Sequence, residues 1–244
     1  KLRLRRYSLA GTGGQCLMLP PEGEPETMPV ALYNLGGVFM NLIFGALGLA
    51  GAAGTAQPIA QAGLLLFGGY GLLSALFNGI PIRGTVDNDG ANLRAACAGG
   101  AARRALWVQL QVAGATAQGL RLREMPEEWF RWPEEKALSN SLCAAEAVFC
   151  CNRLLDQQRL EECRARITAL LDNAPGLTPL YRGLLAGDRM FLELLRGDTA
   201  AVQALDTQET RRILHAMRSN PSVLRTEYAR ALLERRDETE AAKI

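Results

Sequence analysis

Two uncharged apolar runs decide the fold of this chain: residues 32–54 (LYNLGGVFMNLIFGALGLAGAAG) and residues 59–81 (IAQAGLLLFGGYGLLSALFNGIP). Each run has about 20 residues, which at about 1.5 Å per residue is long enough to cross about 30 Å of hydrocarbon. Both runs are rich in Gly and Ala, which let membrane helices approach each other closely. The linker at residues 55–58 is short and contains a proline, so the sequence predicts an antiparallel membrane hairpin.

The distribution of charge supports this interpretation. Residues 27–82 contain no Asp, Glu, Lys, Arg or His, although the whole chain has 27 Lys and Arg, 25 Asp and Glu and a net charge of +2. An uncharged block followed by a highly charged one is typical of a membrane segment joined to a soluble domain. The alternative is a hairpin buried in a soluble core, but that hairpin would need a polar face, and neither run has one. The nearly neutral net charge argues against a nucleic-acid partner.

Basic residues predict the orientation of the pair in the membrane. The connecting loop has no positive charge, and the positive-inside bias therefore puts both flanks in the cytoplasm. We expect a multi-pass membrane protein in contact with lipid, with its helical C-terminal region in the cytoplasm. The basic residues before the pair are Lys1, Arg3, Arg5 and Arg6, and those after it include Arg83, Arg94, Arg103 and Arg104.

Several polar side chains lie in or next to the apolar runs. Polar groups at membrane depth must find partners and often mark function. A carboxylate just beyond a membrane helix is costly unless a cation or a polar cavity receives it. Amides that join helices, together with an Asp-Gly turn in a cytoplasmic loop, are the ordinary alternative. The polar residues concerned are Asn34, Asn41, Ser74, Asn78, Asp87 and Asp89.

The order of these motifs resembles the second half of the catalytic core of site-2 protease-type zinc metallopeptidases, which cleave substrates within the membrane. The resemblance covers residues 1–95, and the order of the motifs is more specific than any one of them. The motifs are Gly37-x-x-x-Asn41, then Asn78-x-x-Pro81, then Asp89-Gly90.

The resemblance implies a role for each of these residues. Asp89 would be a zinc ligand, with Asp87 as a rival, and Asp89 is preferred because Gly90 follows it. Asn41 would be a catalytic residue that positions or polarises the scissile carbonyl. The supporting residues would be Gly37, Asn78, Pro81 and Gly90, of which Asn78 and Pro81 would shape the loop that carries the ligand.

The resemblance also implies Zn²⁺ as cofactor, with two further ligands from a His-Glu-x-x-His motif. Two His, one carboxylate and a water are a common catalytic zinc set, in which zinc lowers the pKa of the water and a Glu acts as base. This chain lacks the motif, and its only histidine, His215, is far away in the charged half. We therefore expect that the motif precedes Lys1 in a longer protein or that catalysis has been lost. The chain alone cannot be an active enzyme.

A short β-hairpin is expected at residues 1–20. Leu2 and Leu4 alternate with charged residues, and residues 15–20 form a second short extended run. In the resembled family, a small hairpin or sheet of this kind helps to hold the substrate in an extended form.

The segment at residues 96–133 is predicted to connect the membrane part to the rest. Residues 98–123 favour a helix that breaks at Gly99-Gly100, and its uncharged core at residues 105–120 is short and contains three Gln, which argues against a membrane span. Trp129 and Trp132 suit either the bilayer interface or helix packing, and both interpretations are open.

Residues 134–244 have a helical pattern with a period near 39. Paired leucines recur at Leu154, Leu194 and Leu232, and turn residues separate the helices. The first unit resembles a tetratricopeptide repeat, which implies a groove for a peptide or protein partner. A plain helical domain with no partner is the alternative. The positions that carry this resemblance are Leu160, Cys163, Ile167, Leu170 and Pro175.

The sequence thus predicts a mainly α protein: a membrane hairpin preceded by a short β-hairpin and followed by a soluble helical-repeat domain. The leading hypothesis is a fragment of a membrane-embedded zinc metalloendopeptidase whose substrate is a membrane protein or peptide. The alternative is a non-catalytic membrane-anchored adaptor that binds a protein partner. The six cysteines show no metal-binding spacing and are expected to be reduced thiols.

Overall fold

The computed structural model describes residues 18–20 and 24–244, and within them the chain is mainly helical. Short 3-10 turns join several of the helices, and a π-helical turn, Arg230–Glu234, follows α10. In these described ranges the eleven α-helices are α1 (Val30–Gly54), α2 (Pro58–Gly79), α3 (Asp89–Ala96), α4 (Gly100–Ala117), α5 (Ser141–Asp156), α6 (Leu160–Asn173), α7 (Pro179–Arg196), α8 (Thr199–Leu205), α9 (Gln208–Ala216), α10 (Pro221–Ala229) and α11 (Glu238–Ala241).

The predicted short β-hairpin is not supported. Most of it falls on residues 1–17, which lie outside the described residues, and residues 18–20 form no strand. Within residues 24–244 the only extended pairing is one isolated bridge between Arg83 and Asp87. The fold of the described chain is therefore helical throughout.

The two apolar runs form the predicted antiparallel helical hairpin. Proline and helix-cap residues determine where α2 begins and ends. Pro58 occupies the first turn of α2, where its missing N–H costs nothing, and the Gln57 side chain caps that end by accepting from the Ala60 N–H. At the other end, Pro81 disfavours the helical conformation of Ile80, so α2 stops at Gly79.

Glycines let α1 and α2 pack in close contact. A Cβ on Gly68 would lie 2.9 Å from the carbonyl oxygen of Gly45, and one on Gly48 would lie 3.2 Å from the backbone of Gly68. Without side chains at these positions the two backbones come within van der Waals contact along the middle of the hairpin.

The outer surface of the hairpin is apolar and exposed. In the most apolar 18-residue stretch of each helix, only 22% (α1) and 11% (α2) is buried inside the chain. Leu66 and Tyr70 on α2 are 76% and 74% exposed, and most of the exposed large apolar side chains of the described residues lie between Leu32 and Ile82. Within this chain the hairpin is therefore not a buried core, and by length and composition both helices could cross a membrane.

The start of α1 and the residues just before it pack on α3 and α4. Met28 and Val30 share a buried cluster with residues of α3 and α4, including Ala96, Ala105 and Leu106. As predicted, the connecting segment breaks at its glycine pair, because Gly99 has a φ of +148°, which residues with a side chain rarely adopt.

The aromatic residues after α4 are packing anchors. Trp129 meets Trp107 of α4 edge-to-face with ring centroids 6.1 Å apart, and Trp132 packs against the core of the helical domain. The Arg166 guanidinium lies 4.4 Å from the centre of the Trp132 ring. Of the two interpretations open from the sequence, the structure favours helix packing.

The C-terminal region is organised around α7, which contacts α6, α8, α9 and α10. Its core includes Cys163, Ile167 and Leu170, three positions that carried the tetratricopeptide resemblance and that are all at most 1% exposed. A carboxylate, Glu193, is also fully buried there and accepts from Arg164 at 2.8 Å and Arg189 at 2.5 Å. Paired in this way, the buried charge is compensated.

The three leucine pairs mark three turns of the same kind. A residue with left-handed φ lies three or four positions after the first leucine of each pair, and the residue after it is at the N-cap position of the following helix. The left-handed residues and their φ values are Gln158 at 60°, Gly197 at 74° and Arg236 at 54°, and the residues that follow them, Arg159, Asp198 and Asp237, are the N-caps of α6, α8 and α11. The period near 39 therefore reflects a recurring turn between helices. The tetratricopeptide likeness itself stays a prediction.

Candidate functional site

The candidate site is the junction between α2 and α3, where Asp89 is the first residue of α3. The preceding residue, Asn88, is the N-cap of this helix, and its Oδ1 accepts from the Ala91 N–H at 2.9 Å. An Asn in this position is a common start signal for a helix. Asp89 therefore lies at the positive end of the α3 dipole, where a carboxylate is stabilised.

Asn88 also ties α3 to the end of the membrane hairpin. Its Nδ2 donates to the carbonyl oxygens of Phe77 at 2.6 Å and Ile80 at 2.7 Å, and its Oδ1 accepts from the Ile82 N–H at 3.1 Å. The amide thus satisfies backbone groups left over at the end of one helix and the start of the next. Asn88 was not among the residues predicted from the sequence, although the helix-cap preference of Asn before Asp-Gly was a usable signal.

Gly90 brings the two helices into direct contact. A Cβ at this position would overlap the Gly79 carbonyl group, whose carbon would lie 2.8 Å away, and it would lie 3.0 Å from the carbonyl carbon of Ile80. Only a glycine fits between α3 and the end of α2 without moving the backbone. The Asp-Gly pair is therefore required by packing at this junction, and the contact fixes Asp89 close to the last turn of α2.

The two carboxylates of the loop differ in their partners. Asp87 accepts a hydrogen bond from the Ser141 hydroxyl at 2.6 Å, at the start of α5. Asp89 is half-buried and accepts no hydrogen bond from the described residues, and burial raises the pKa of its carboxyl above the usual value. Asp87 is thus held by α5, whereas Asp89 is the carboxylate of this loop that could serve as a ligand.

The other predicted site residues are not gathered around Asp89. Asn41 is half-buried on α1, and its backbone carbonyl oxygen lies close to Gly71 of α2. Asn78 and Pro81 are both exposed near the end of α2. No hydrogen bond links Asn41 to Asp89 in the described part of the chain, so the structure brings together Asp89, Gly90 and the end of α2 but does not join them to Asn41.

Two further residues were of interest at the sequence level. Gly37 has open space around it, because a Cβ there would meet nothing within 4 Å. The buried Asn34 donates from Nδ2 to the Val30 carbonyl at 2.8 Å within its own helix, so its amide is satisfied locally.

The residues of this chain do not by themselves make a zinc site. Among the described residues, no three His, Cys, Asp or Glu side chains form a group that could hold a metal ion. His215 is exposed on α9, in the helical domain. Asp89 could supply one ligand, and any others would have to come from outside the described residues.

The loop that carries Asp89 is held by the helical domain. The Leu180 N–H at the start of α7 donates to the Thr85 carbonyl at 3.2 Å, and Val86 packs against the apolar cluster around α7. With the Ser141–Asp87 bond, these contacts fix the loop on the side away from the hairpin. The position of Asp89 therefore depends on both the hairpin and the helical domain.

The helical domain has an open cavity of about 580 Å³ between α4, α5, α7 and α10. Asp188 on α7 lines it and accepts from the Arg225 guanidinium at 2.6 Å. Burial raises the pKa of Asp188 to about 6, although Arg225 acts in the opposite direction. Tyr181 and Asn152 also line the wall of this cavity.

No protein-family model, curated protein or solved structure matches this chain. What the protein does must therefore be inferred from its own residues and their arrangement.

Proposed function

We propose that this chain is part of the core of a membrane-embedded zinc metalloendopeptidase, similar to site-2 proteases, that hydrolyses peptide bonds in or near membrane segments. The observation that carries the proposal is the position of Asp89. This carboxylate is half-buried at the end of an apolar helix pair, and Asn88 and Gly90 hold it there. A carboxylate just beyond a membrane helix is costly unless a cation or a polar cavity receives it, and in this proposal zinc is that cation.

In this proposal Asp89 is the zinc ligand, and Asp87 is not, because the Ser141 hydroxyl already engages its carboxylate. Asn41 acts on the scissile carbonyl, and Asn78 and Pro81 shape the end of α2. The remaining zinc ligands come from a His-Glu-x-x-His segment outside this sequence, and zinc would supply the activated water.

The membrane is the proposed surroundings of α1 and α2. Their exposed apolar side chains suit lipid, and the absence of charge from residues 27–82 suits a hydrocarbon layer. The basic residues on both flanks support a cytoplasmic position for the helical domain, by the positive-inside bias. The substrate is then a membrane protein or peptide that reaches the hairpin from within the bilayer.

The first test is the reading frame that precedes Lys1. A His-Glu-x-x-His motif within a hydrophobic segment supports the peptidase, and a frame that starts near Lys1 contradicts it.

The second test is Asp89→Ala in the natural full-length protein, with bound zinc and cleavage of a membrane substrate as readouts. We expect Asp89→Ala to reduce bound zinc well below one equivalent and to abolish cleavage, because a zinc site with three protein ligands loses one of them. The matched control is Asp87→Ala, which removes the bond to Ser141 and should retain zinc. Zinc content and cleavage that are unchanged in Asp89→Ala would show that another residue is the ligand.

The second candidate function is a non-catalytic membrane-anchored adaptor. It is favoured by the cavity of about 580 Å³ in the helical domain and by the lack of a three-ligand group within the described residues. In an adaptor, Asp89→Ala would leave partner binding unchanged, whereas substitutions in the cavity wall such as Asn152→Ala would weaken it. In a peptidase, Asp89→Ala would abolish cleavage of a membrane substrate, whereas Asn152→Ala would leave cleavage unchanged.

A further inference from the structure

A second open cavity, of about 600 Å³, lies where α2 ends. Its floor is formed by Ala91 and Ala95 of α3 and by Ala98 in the turn that follows, whose small side chains leave the space open. Its volume falls within the range of about 300–1,000 Å³ that is usual for small-ligand sites.

The charged groups of this cavity are all positive. Arg83, from the loop after α2, and Arg94, from α3, both line it, and no carboxylate does. Both arginines are exposed, and neither forms an ion pair with a described residue. The carboxylate nearest in sequence to Arg83, that of Asp87, is engaged by the Ser141 hydroxyl on α5. Two guanidinium groups without a counter-charge are suited to an anion, which they bind through paired N–H donors.

The remaining polar wall comes from the start of α5. The Asn140 amide is already used, because its Nδ2 donates to the Ala95 carbonyl at 2.9 Å and its Oδ1 accepts from the Leu142 N–H at 3.0 Å. The hydroxyl of Ser139 lies at the exposed rim. The two arginines are therefore the groups that would hold an anion.

The cavity lies at the boundary between apolar and charged surface. Leu76, Phe77 and Ile80 are 52–61% exposed at the end of α2, and the chain changes from Ile82 to Arg83 in one step. In a membrane-inserted hairpin this boundary is at the level of the lipid headgroups.

We propose that this cavity binds the phosphate headgroup of an anionic phospholipid through Arg83 and Arg94. The proposal rests on the membrane placement of α1 and α2 and does not depend on peptidase activity. The cytoplasmic leaflet, where the basic flanks put this end of the hairpin, is the anionic one. A bound lipid would hold the loop that carries Asp89 at a fixed depth.

The test uses the full chain purified in a neutral detergent. Native mass spectrometry measures how much phosphatidylglycerol it retains compared with phosphatidylcholine of the same acyl chains. The variant is Arg83→Gln/Arg94→Gln, and the matched control is Arg212→Gln/Arg218→Gln, which removes two exposed arginines from the helical domain. A third variant, Arg83→Lys/Arg94→Lys, keeps the charge.

We expect the wild-type chain and the control to retain phosphatidylglycerol in preference to phosphatidylcholine. Losing both arginines should weaken this retention about 25-fold, since each basic residue near an anionic surface contributes about a fivefold effect. The lysine variant should keep most of the binding. Circular dichroism verifies that each variant is folded. If the Gln variant fails to fold, the lysine variant decides. Loss of the preference for phosphatidylglycerol in the lysine variant would overturn the proposal.

Equal retention of phosphatidylglycerol by the Gln variant and the control would also overturn the proposal. Inorganic phosphate separates the two sources of the anion: if millimolar phosphate displaces the lipid fully, the site is one for free phosphate. Alkaline carbonate extraction of membranes separates this proposal from the membrane placement. If the chain is extracted, the placement fails, whereas a chain that stays in the pellet without lipid preference means that the cavity proposal alone fails.

Discussion

Single residues at the α2–α3 junction decide where Asp89 lies. Asn88 satisfies four backbone groups with one amide, and Gly90 leaves room for direct contact with the end of α2. Both residues are required for the structure of this junction, whether or not they take part in catalysis. The Asp-Gly pair that suggested a metal ligand from the sequence therefore also has a packing reason, which does not depend on zinc.

The packing at Gly90 is testable with Gly90→Ala. The added Cβ would overlap the Gly79 carbonyl group, with 2.8 Å to its carbon, so the helices must separate. We expect the free energy of unfolding, measured by denaturant titration of the full chain in detergent, to fall by about 1–3 kcal/mol. The control is Gly100→Ala at the start of α4, where a Cβ meets nothing within 4 Å. Equal stability of the two variants would contradict this account of the junction.

The buried Asp188 makes stability depend on pH. Because burial raises its pKa to about 6, the folded chain binds a proton at this carboxyl more readily than the unfolded chain does. The contribution of Asp188 to stability is therefore fully present below the unfolded pKa and is lost as the pH rises through about 6.

The corresponding variant is Asp188→Asn, whose side chain does not titrate. From about pH 4 to pH 7, the wild type should lose stability relative to this variant by an amount on the order of 3 kcal/mol, and little should change above pH 7. Urea unfolding of both proteins across this range measures the difference. Curves that stay parallel from pH 4 to pH 7 would mean that Asp188 has an ordinary pKa in the folded chain.

At the scale of the helices, the close contact between α1 and α2 depends on which glycines of each helix face the other helix. Gly68 and Gly69 are neighbours in sequence, yet only Gly68 faces α1. The hydrophobic periodicity of α2 gives no sign of this difference, since nearly every position of the run is apolar. Which glycine is needed became clear only once the two helices were placed against each other.

These neighbours form a matched pair of variants. Gly68→Ala puts a Cβ 2.9 Å from the Gly45 carbonyl oxygen, whereas Gly69→Ala adds one that meets nothing within 4 Å. We expect Gly68→Ala to lower the free energy of unfolding by about 1–3 kcal/mol, and Gly69→Ala to leave it unchanged or slightly raised. Unfolding in sodium dodecyl sulfate, followed by circular dichroism, compares the two. The close helix contact would be wrong if both variants behaved alike.

Across the molecule as a whole, the hairpin and the helical domain meet at the loop before α3. The hairpin end holds Asn88, while α5 and α7 hold Asp87 and Thr85. If the hairpin is in the membrane, the helical domain must lie on one side of that membrane. All of the proposals require that both ends of the hairpin emerge on this same side.

The orientation is testable by thiol labelling in intact cells. Cys97 is exposed after α3, and the substitution Gln57→Cys places a second thiol in the loop between α1 and α2; both thiols are studied in a Cys16→Ser background. With both flanks in the cytoplasm, a membrane-impermeant maleimide should label the loop thiol of the Gln57→Cys variant but not Cys97 until the cells are lysed. Labelling of Cys97 alone would mean the inverse orientation, and labelling of both would mean that the hairpin does not cross the membrane.

Local patterns in the amino-acid sequence were enough to predict the helical hairpin, the break at Gly99-Gly100 and the helical nature of residues 134–244. Uncharged apolar length, glycine and proline placement and helix-cap residues are local properties, and they act within about one turn of the chain. The same local signals also favoured Asp89 over Asp87, because Gly90 follows it.

Other features could be seen only in the folded chain. The aromatics after α4 pack against helices, Asp87 is engaged by Ser141, and Asn41 is not joined to Asp89. Each of these depends on contacts between residues far apart in the chain, and the energy of such contacts is not encoded in any local pattern. For the same reason Asn88 could be recognised from the sequence as a cap, but its bonds to the end of α2 could not.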